Sequence, residues 1–410
     1  MLCIHAPPPS AVAAAIMPRS DSLIIRVLLT ALVAFGPLST DLYLPSLPTL
    51  VTVFGTDIAT VQLTLSVFLV GFAVSQLVYG PVSDRFGRRP ALLGGILIYL
   101  VASVACALTD DIGGLIVARF FQALGACCGP VVARAVVRDV FGRDRAATVL
   151  AYMAMAMTLA PAVGPVLGGV ITELFGWRGN FVLLAGFAVV ILAATWAWMG
   201  ETNTHRDEEA LRPGRLAANY LMLLRDRTFI GHMLVVAFAY SGIFSFISGS
   251  AFVLIGRMQL TPAQYGASFG VVVLGYAVGS FLAGRLSHRL GGPRMIRLGT
   301  AVSLAGGLLG VGLAIADPPH LAAVVAPVFV FMVGAGLTLP NAMAGAVGPY
   351  PMMAGLASSL VGFAQMSVAA VIGILVGHLS SGTPLPMMAA IGLVALGAAV
   401  AHRTLVSPRP

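Results

Sequence analysis

Gly80-Pro81-Val82-Ser83-Asp84-Arg85-Phe86-Gly87-Arg88-Arg89 closes one long apolar stretch and opens the next, and Gly284-Arg285-Leu286-Ser287-His288-Arg289-Leu290-Gly291-Gly292 does the same 204 residues later, half the chain away. A polar turn repeated at that offset, each copy between two apolar runs, marks a duplicated unit. Around the first copy, apolar stretches read as helices at about 23–46, 60–81, 90–108, 113–137, 146–172 and 179–199. Around the second they read as helices at about 229–256, 264–287, 295–316, 321–347, 354–378 and 384–402. The expected fold is an all-α polytopic membrane protein of twelve transmembrane helices in two pseudo-symmetric six-helix bundles.

Composition agrees. Of 410 residues, 59% are hydrophobic and 9% charged, with a mean hydropathy of +0.97; an ordinary soluble domain carries roughly a quarter charged residues. So few ionisable groups cannot cover a water-soluble surface of this size. The net charge of +8 comes from 23 arginines and no lysine, scattered in twos and threes, which fits orientation of membrane helices better than nucleic-acid binding. With the N-terminus cytoplasmic, nineteen arginines fall at or near cytoplasmic ends, Arg178 and Arg257 lie outside, and Arg119 and Arg134 lie within the fourth helix. This asymmetry puts both termini in the cytoplasm and points to a multi-pass protein of a bacterial cytoplasmic (inner) membrane.

Residues 1–21 form an Ala/Pro-rich tail whose first sixteen residues carry no Lys or Arg, a poor signal peptide and an expected disordered or mis-started segment with a second methionine at Met17. The first bundle is expected at 22–200, a cytoplasmic linker at 201–228, the second bundle at 229–403 and a tail at 404–410. The linker, Glu201 to Thr228, holds ten charges in the only long hydrophilic stretch. Cys3, Cys106, Cys127 and Cys128 form no CxxC pair and read as packing residues, so neither a disulfide framework nor a metal site is expected.

The turn at Gly80, Asp84, Arg85, Gly87, Arg88 and Arg89 resembles the helix 2 to 3 signature of the major facilitator superfamily at every diagnostic position. Arg119-Phe-Phe-Gln122-Ala-Leu-Gly125 resembles its helix 4 signature. Pro161-Ala-Val-Gly164-Pro165-Val-Leu-Gly168-Gly169 resembles the helix 5 segment associated with antiporters. Ser39-Thr-Asp41-Leu-Tyr43-Leu-Pro45-Ser-Leu-Pro48, Phe244 to Phe252, Asn341-Ala-Met-Ala and Ala354 to Ser359 are similar to the bicyclomycin-resistance (Bcr/CflA) subfamily of twelve-helix drug:proton antiporters. The resemblance runs from about Ser22 to Arg403 and implies the major facilitator fold.

Asp41 lies about eighteen residues into the first helix, roughly 27 Å from its start, in the outer half of the span. A carboxylate there costs several kcal/mol unless protonated or paired, the property a proton-exchanging site needs. Pro37, Pro45 and Pro48 expose backbone carbonyls beside it. Arg119 is the expected counter-charge, and the resemblance implicates it in proton transfer. An arginine cannot release a proton, so its part is to act on a neighbouring acid. Tyr43, Gln122, Tyr240, Phe244, Phe246, Phe252 and Asn341 are candidates for the substrate cavity, although aromatics on membrane helices commonly serve packing. Pro161, Gly164, Pro165, Gly168 and Gly169 are expected to form a close seam against a helix of the other half. Gly80, Asp84, Arg85, Gly87, Arg88 and Arg89 are expected to form a cytoplasmic latch, the acid facing a helix N-terminus of the other half and the arginines pairing with Asp139 or Asp144. His288 replaces the acid in the second copy, and no Asp or Glu lies between Asp226 and Asp317, so proton chemistry concentrates in the first half.

The expected activity is proton-driven efflux of hydrophobic or amphipathic drug-like molecules by alternating access, giving multidrug or antibiotic resistance. A native-metabolite exporter and a proton-coupled symporter use the same scaffold; the helix 5 segment argues against import. A membrane enzyme would need a nucleophile with a base or second acid at matching depth, whereas the histidines sit at loops or helix ends and no phosphate-binding loop occurs. No enzyme activity and no cofactor are expected. The partners are a small molecule, protons and the lipid bilayer, with the chain acting as a monomer.

Overall fold

The computed structural model describes residues 22–204, 206–318, 320–380 and 383–406. The tail expected at 1–21 lies outside these residues, as do the last four of the C-terminal tail. Among the described residues the ordered elements are helices. In chain order the α-helices are α1 (Leu23–Val33), α2 (Phe35–Asp41), α3 (Leu47–Val53), α4 (Ile58–Phe86), α5 (Arg88–Leu108), α6 (Ile112–Ala126), α7 (Cys128–Phe175) and α8 (Trp177–Trp198). Then follow α9 (Pro213–Arg225), α10 (Arg227–Ala251), α11 (Pro262–Leu290), α12 (Gly292–Ala316), α13 (Leu321–Val347), α14 (Ala354–His378) and α15 (Leu385–Ala401). Among the described residues, ten helical runs are long and apolar enough to cross a membrane, and α1 to α3 add an eleventh, bent by 43°. The shorter apolar run Ala160–Phe175 covers the second half of the expected fifth helix.

The expected and observed spans coincide to within a few residues, with three differences. The first span breaks into α1, a short α2, a 3-10 turn at Leu44–Ser46 and α3. Its three prolines supply no N–H, so the helical ladder cannot run through. The fourth span is interrupted at Cys127, and its second part is helical without a break into the fifth. Gly129 packs on the carbonyl of Leu32 and Gly168 on that of Leu42. A straight run between the two glycines would cover ~58 Å, whereas Leu32 and Leu42 are ~15 Å apart along a helix, so α7 turns back on itself. The expected linker carries α9, a helix started by Pro213 at its first turn. Leu223 of α9 is fully buried against Phe229 and Tyr350, which anchors the linker to the second half.

The repeated turns adopt the same backbone. Gly87 has φ 109° and Gly291 φ 77°, conformations that exclude most side chains, and each residue ends one span and starts the next. α4 of the first half runs along α14 of the second, and the end of α7 runs along α11. Small residues permit these approaches: Gly362 and Gly377 of α14 face Gln76 and Gln62 of α4, and Gly266 of α11 faces Val166. Both hydrogen bonds described between the halves, Gln62 Nε2 to the Ser248 carbonyl (2.9 Å) and Ala263 N–H to Glu173 Oε1 (3.4 Å), lie at the end away from the linker. The halves are therefore tied together at this far end.

Candidate functional site

Asp41 ends α2, where the backbone leaves the α-helix before Pro45. Its carboxylate is 2% exposed and accepts a hydrogen bond from the Thr40 hydroxyl at 3.2 Å. No described cation stands within ion-pair distance of it. Tyr240 of α10 and Tyr265 of α11, both from the second half, lie close enough to feel its charge. Asp41 thus sits beside the junction of the halves, on the break that the prolines create.

Arg119, on α6, is completely buried but does not pair with Asp41. Its Nη1 donates to the Ser39 carbonyl at 2.9 Å and to Gln122 Oε1 at 2.6 Å. Its charge rests between the rings of Phe68, Tyr43 and Phe181, with centroids 4.3, 5.1 and 5.9 Å from the guanidinium carbon. Nε and Nη2 have no protein partner. The expected counter-charge is instead a clamp on the backbone two residues before the acid. Gln122 carries the network on, donating to Ser103 Oγ at 2.8 Å, and the Ser39 hydroxyl meets the Tyr99 hydroxyl at 2.7 Å. The role of the Ser39 carbonyl was invisible in the sequence, since the prolines of this span free the carbonyls four residues before them, at Val33, Asp41 and Leu44, and not that of Ser39.

The helix 5 glycines face two ways. Gly169 lies against the backbone of Pro262 on α11, 2.7 Å from the carbonyl oxygen to an ideal Cβ, the expected seam with the other half. Gly164 and Gly168 turn instead toward the first span: a Cβ on Gly164 would stand 2.8 Å from that of Asp41, and one on Gly168 would strike the Leu42 carbonyl. One helix therefore seats the Asp41 break on one face and the second half on the other. Further along the far-end seam, Gly373 faces Phe244 and Ser66, while Gln62 Oε1, Ser66 Oγ and Ser248 Oγ are buried without partners.

The turn at Gly80–Arg89 is held within its own half and by the linker. Arg88 pairs with Asp84 and, at 3.0 Å, with Asp139. The Asp84 carbonyl accepts from Asn203 Nδ2 at 2.9 Å and from the Asp207 N–H at 3.2 Å. Arg89 donates to the Trp196 carbonyl at 2.8 Å, and Glu201 accepts from the N–H groups of Arg88 and Arg89. Asp84 is therefore engaged by Arg88 and not by a helix N-terminus of the other half, because the turn at Gly87 brings Arg88 back onto it. The side chain of Asp144 lies outside the described set.

The cavity candidates divide by accessibility. Tyr43 is buried on Thr64 and Phe181, and Gln122 belongs to the Arg119 network. Phe244 fills the seam at Gly373, Phe246 packs on Phe269 with ring centroids 5.3 Å apart, and Phe252 is buried. Tyr240 and Asn341 keep partial exposure, and Asn341 accepts from the Ser287 hydroxyl at 2.9 Å.

This arrangement matches known proteins. The family model described as Major Facilitator Superfamily matches residues 28–374. The "Bicyclomycin resistance protein homolog" of Haemophilus influenzae is 28% identical over 390 residues, covering 95% of this chain and 98% of that protein. "Multidrug resistance protein D" of Escherichia coli is 28% identical over 352 residues, 85% of this chain and 87% of that protein. The crystal structure of a bacterial homolog of the human lysosomal transporter Spinster, in an inward-facing and unoccupied conformation, superposes with a TM-score of 0.72 at 16% identity over 97% of this chain and 98% of that one. The twelve-helix architecture expected from the sequence is thus the fold of a transporter family and not of an enzyme, and the chain belongs to the major facilitator superfamily.

Proposed function

We infer that the chain exports hydrophobic or amphipathic small molecules across the bacterial cytoplasmic membrane in exchange for protons, with both termini and the linker on the cytoplasmic side. The observation that carries this reading is Asp41: a sealed carboxylate with no cation on it, at the break of the first span and beside two tyrosines of the other half. A carboxyl group so placed is stable when protonated and demands water or a cation when ionised. Protonation from the far side favours the closed packing of Gly164 on Asp41; loss of the proton toward the linker side resets the carrier. The relatives named for bicyclomycin and multidrug resistance support a drug-like substrate.

Reconstituted protein is expected to move protons across proteoliposome membranes when substrate is added, and Asp41→Asn to abolish that exchange. In cells lacking their main efflux pumps, resistance conferred by the wild type should vanish with an uncoupler. Full proton-coupled transport by Asp41→Asn would remove Asp41 from this role.

A further inference from the structure

We propose that the cleft between the halves at the linker end receives substrates that carry an anionic group on an apolar body, and that Arg134 is the cation that binds the anion, with Arg138 one turn nearer the mouth. This inference rests on the exporter reading and adds the chemical class of its substrate.

Arg134 is exposed, although its neighbours Val132, Ala133, Ala135, Val136 and Val137 are all buried. The face it occupies is turned to the other half: Arg138, at i+4 on the same helix, brings its Nη2 to 3.9 Å from where a side chain on Gly355 of α14 would begin. Both described hydrogen bonds between the halves lie at the far end, so no described hydrogen bond ties the halves beside this face.

Nothing described neutralises the pair. Arg134 Nε donates to the Pro130 carbonyl of its own helix at 2.7 Å, and its two terminal nitrogens have no partner among the described residues. Five carboxylates described near the linker end are engaged elsewhere: Asp84 and Asp139 by Arg88, Glu201 by the start of α5, Glu209 by Arg212, and Asp226 by Tyr350 and the start of α10. An arginine that only orients a helix sits at its end, at headgroup level. Arg134 lies seven residues, ~10 Å along the helix, inside Phe141, where its apolar run ends. A cation at that depth is expensive unless it meets water or an anion, and a guanidinium fork with both terminal nitrogens free matches a carboxylate in a bidentate pair.

The test uses 2-naphthoate and its neutral isostere 2-naphthamide, with binding to the full chain in nanodiscs measured by equilibrium dialysis. The acid is expected to bind about tenfold more tightly than the amide. Arg134→Gln should erase the preference while leaving the amide affinity within about twofold, which also shows that the variant is folded, and Arg138→Gln should reduce it less. Equal binding of acid and amide, an undiminished preference in Arg134→Gln, or binding of neither at ~1 mM would overturn the proposal. Proton-driven uptake of both compounds into everted vesicles separates the two readings. Arg134-dependent binding without gradient-driven uptake refutes the exporter and leaves the anion site standing; Asp41-dependent transport without preference for the acid does the reverse.

Discussion

Arg119 Nη1 donates to the backbone carbonyl of Ser39 at 2.9 Å, across 80 positions of sequence, in a site without water-exposed surface. The cation therefore acts on the shape of the first span and not on the Asp41 charge. Arg119→Met removes the donor and leaves that carbonyl buried without it, a cost of about 1–3 kcal/mol. The variant is expected to unfold at lower temperature in detergent and to lose most resistance. Arg119→Lys should recover stability in part, because an ammonium keeps the charge among the rings but is a more strongly hydrated head that suits a dry site less well than a guanidinium. Thermal unfolding of the two variants side by side checks this ordering.

Gly164→Ala places a methyl group 2.8 Å from the Asp41 Cβ, while Gly168→Ala drives one into the Leu42 carbonyl. Overpacking of this kind costs about 1–3 kcal/mol. Both variants should reach the membrane with reduced transport, and Gly168→Ala should be the more impaired because backbone yields less than a side chain. Gly312→Ala serves as the neutral control, since nothing lies within 4 Å of its ideal Cβ. Resistance measured at matched expression distinguishes the three.

Gly87 and Gly291 occupy corresponding positions of the repeated turn, and both have positive φ. Alanine at either should cost about 1–3 kcal/mol in backbone strain. At Gly87 the added carbon also meets the Glu201 carboxylate, with Cδ 2.8 Å away, whereas Gly291 has open space around it. Gly87→Ala is therefore expected to lower the melting temperature more, and shortening the acid in Gly87→Ala/Glu201→Ala should bring the two turns closer together.

Asp226 caps α10 and accepts from the Tyr350 hydroxyl, which, with two backbone N–H groups, holds its carboxyl below the ordinary carboxylate range. A depressed folded value contributes stability that is complete above the unfolded value, near 4, and disappears as pH falls through the folded one. Tyr350→Phe should cost about 1 kcal/mol at neutral pH, discounted for exposure of the pair. The gap in melting temperature between wild type and variant should narrow as pH is taken below ~4. A constant gap from pH 7 to pH 3 would show that the tyrosine acts through packing on Phe229 alone.

Much of this was legible beforehand because membrane spans announce themselves by apolar length, and because Gly87 and Gly291 mark a turn that only glycine adopts easily. Asp41 stood out as an acid deep in an apolar run. What could not be read were relationships that depend on rotation about helix axes. Composition shows that Gly164, Gly168 and Gly169 are small, but not that two of them face Asp41 and Leu42 and the third Pro262. Arg119 and Asp41 looked like partners because they are opposite charges at similar depth; the actual acceptor is a main-chain oxygen, which every residue carries. The break at Cys127 falls where Pro130 has no N–H to give the Ala126 carbonyl, but the apolar run continues through it and hides it. The helix in the linker was obscured by the charges around it, although Pro213 and the buried Leu223 are its start and its anchor.

The far-end seam is closed by glycine contacts, two hydrogen bonds and a few polar atoms that find no partner among the described residues. Such a closure is shallow in free energy. Driving a two-state carrier from one part in a hundred to ninety-nine needs about 5.5 kcal/mol of differential binding. A deeper seam would hold the molecule shut against the modest energy that one small ligand can deliver. The imperfect fit of Gln62, Ser66 and Ser248 keeps the two ends of the transport cycle within thermal reach of each other.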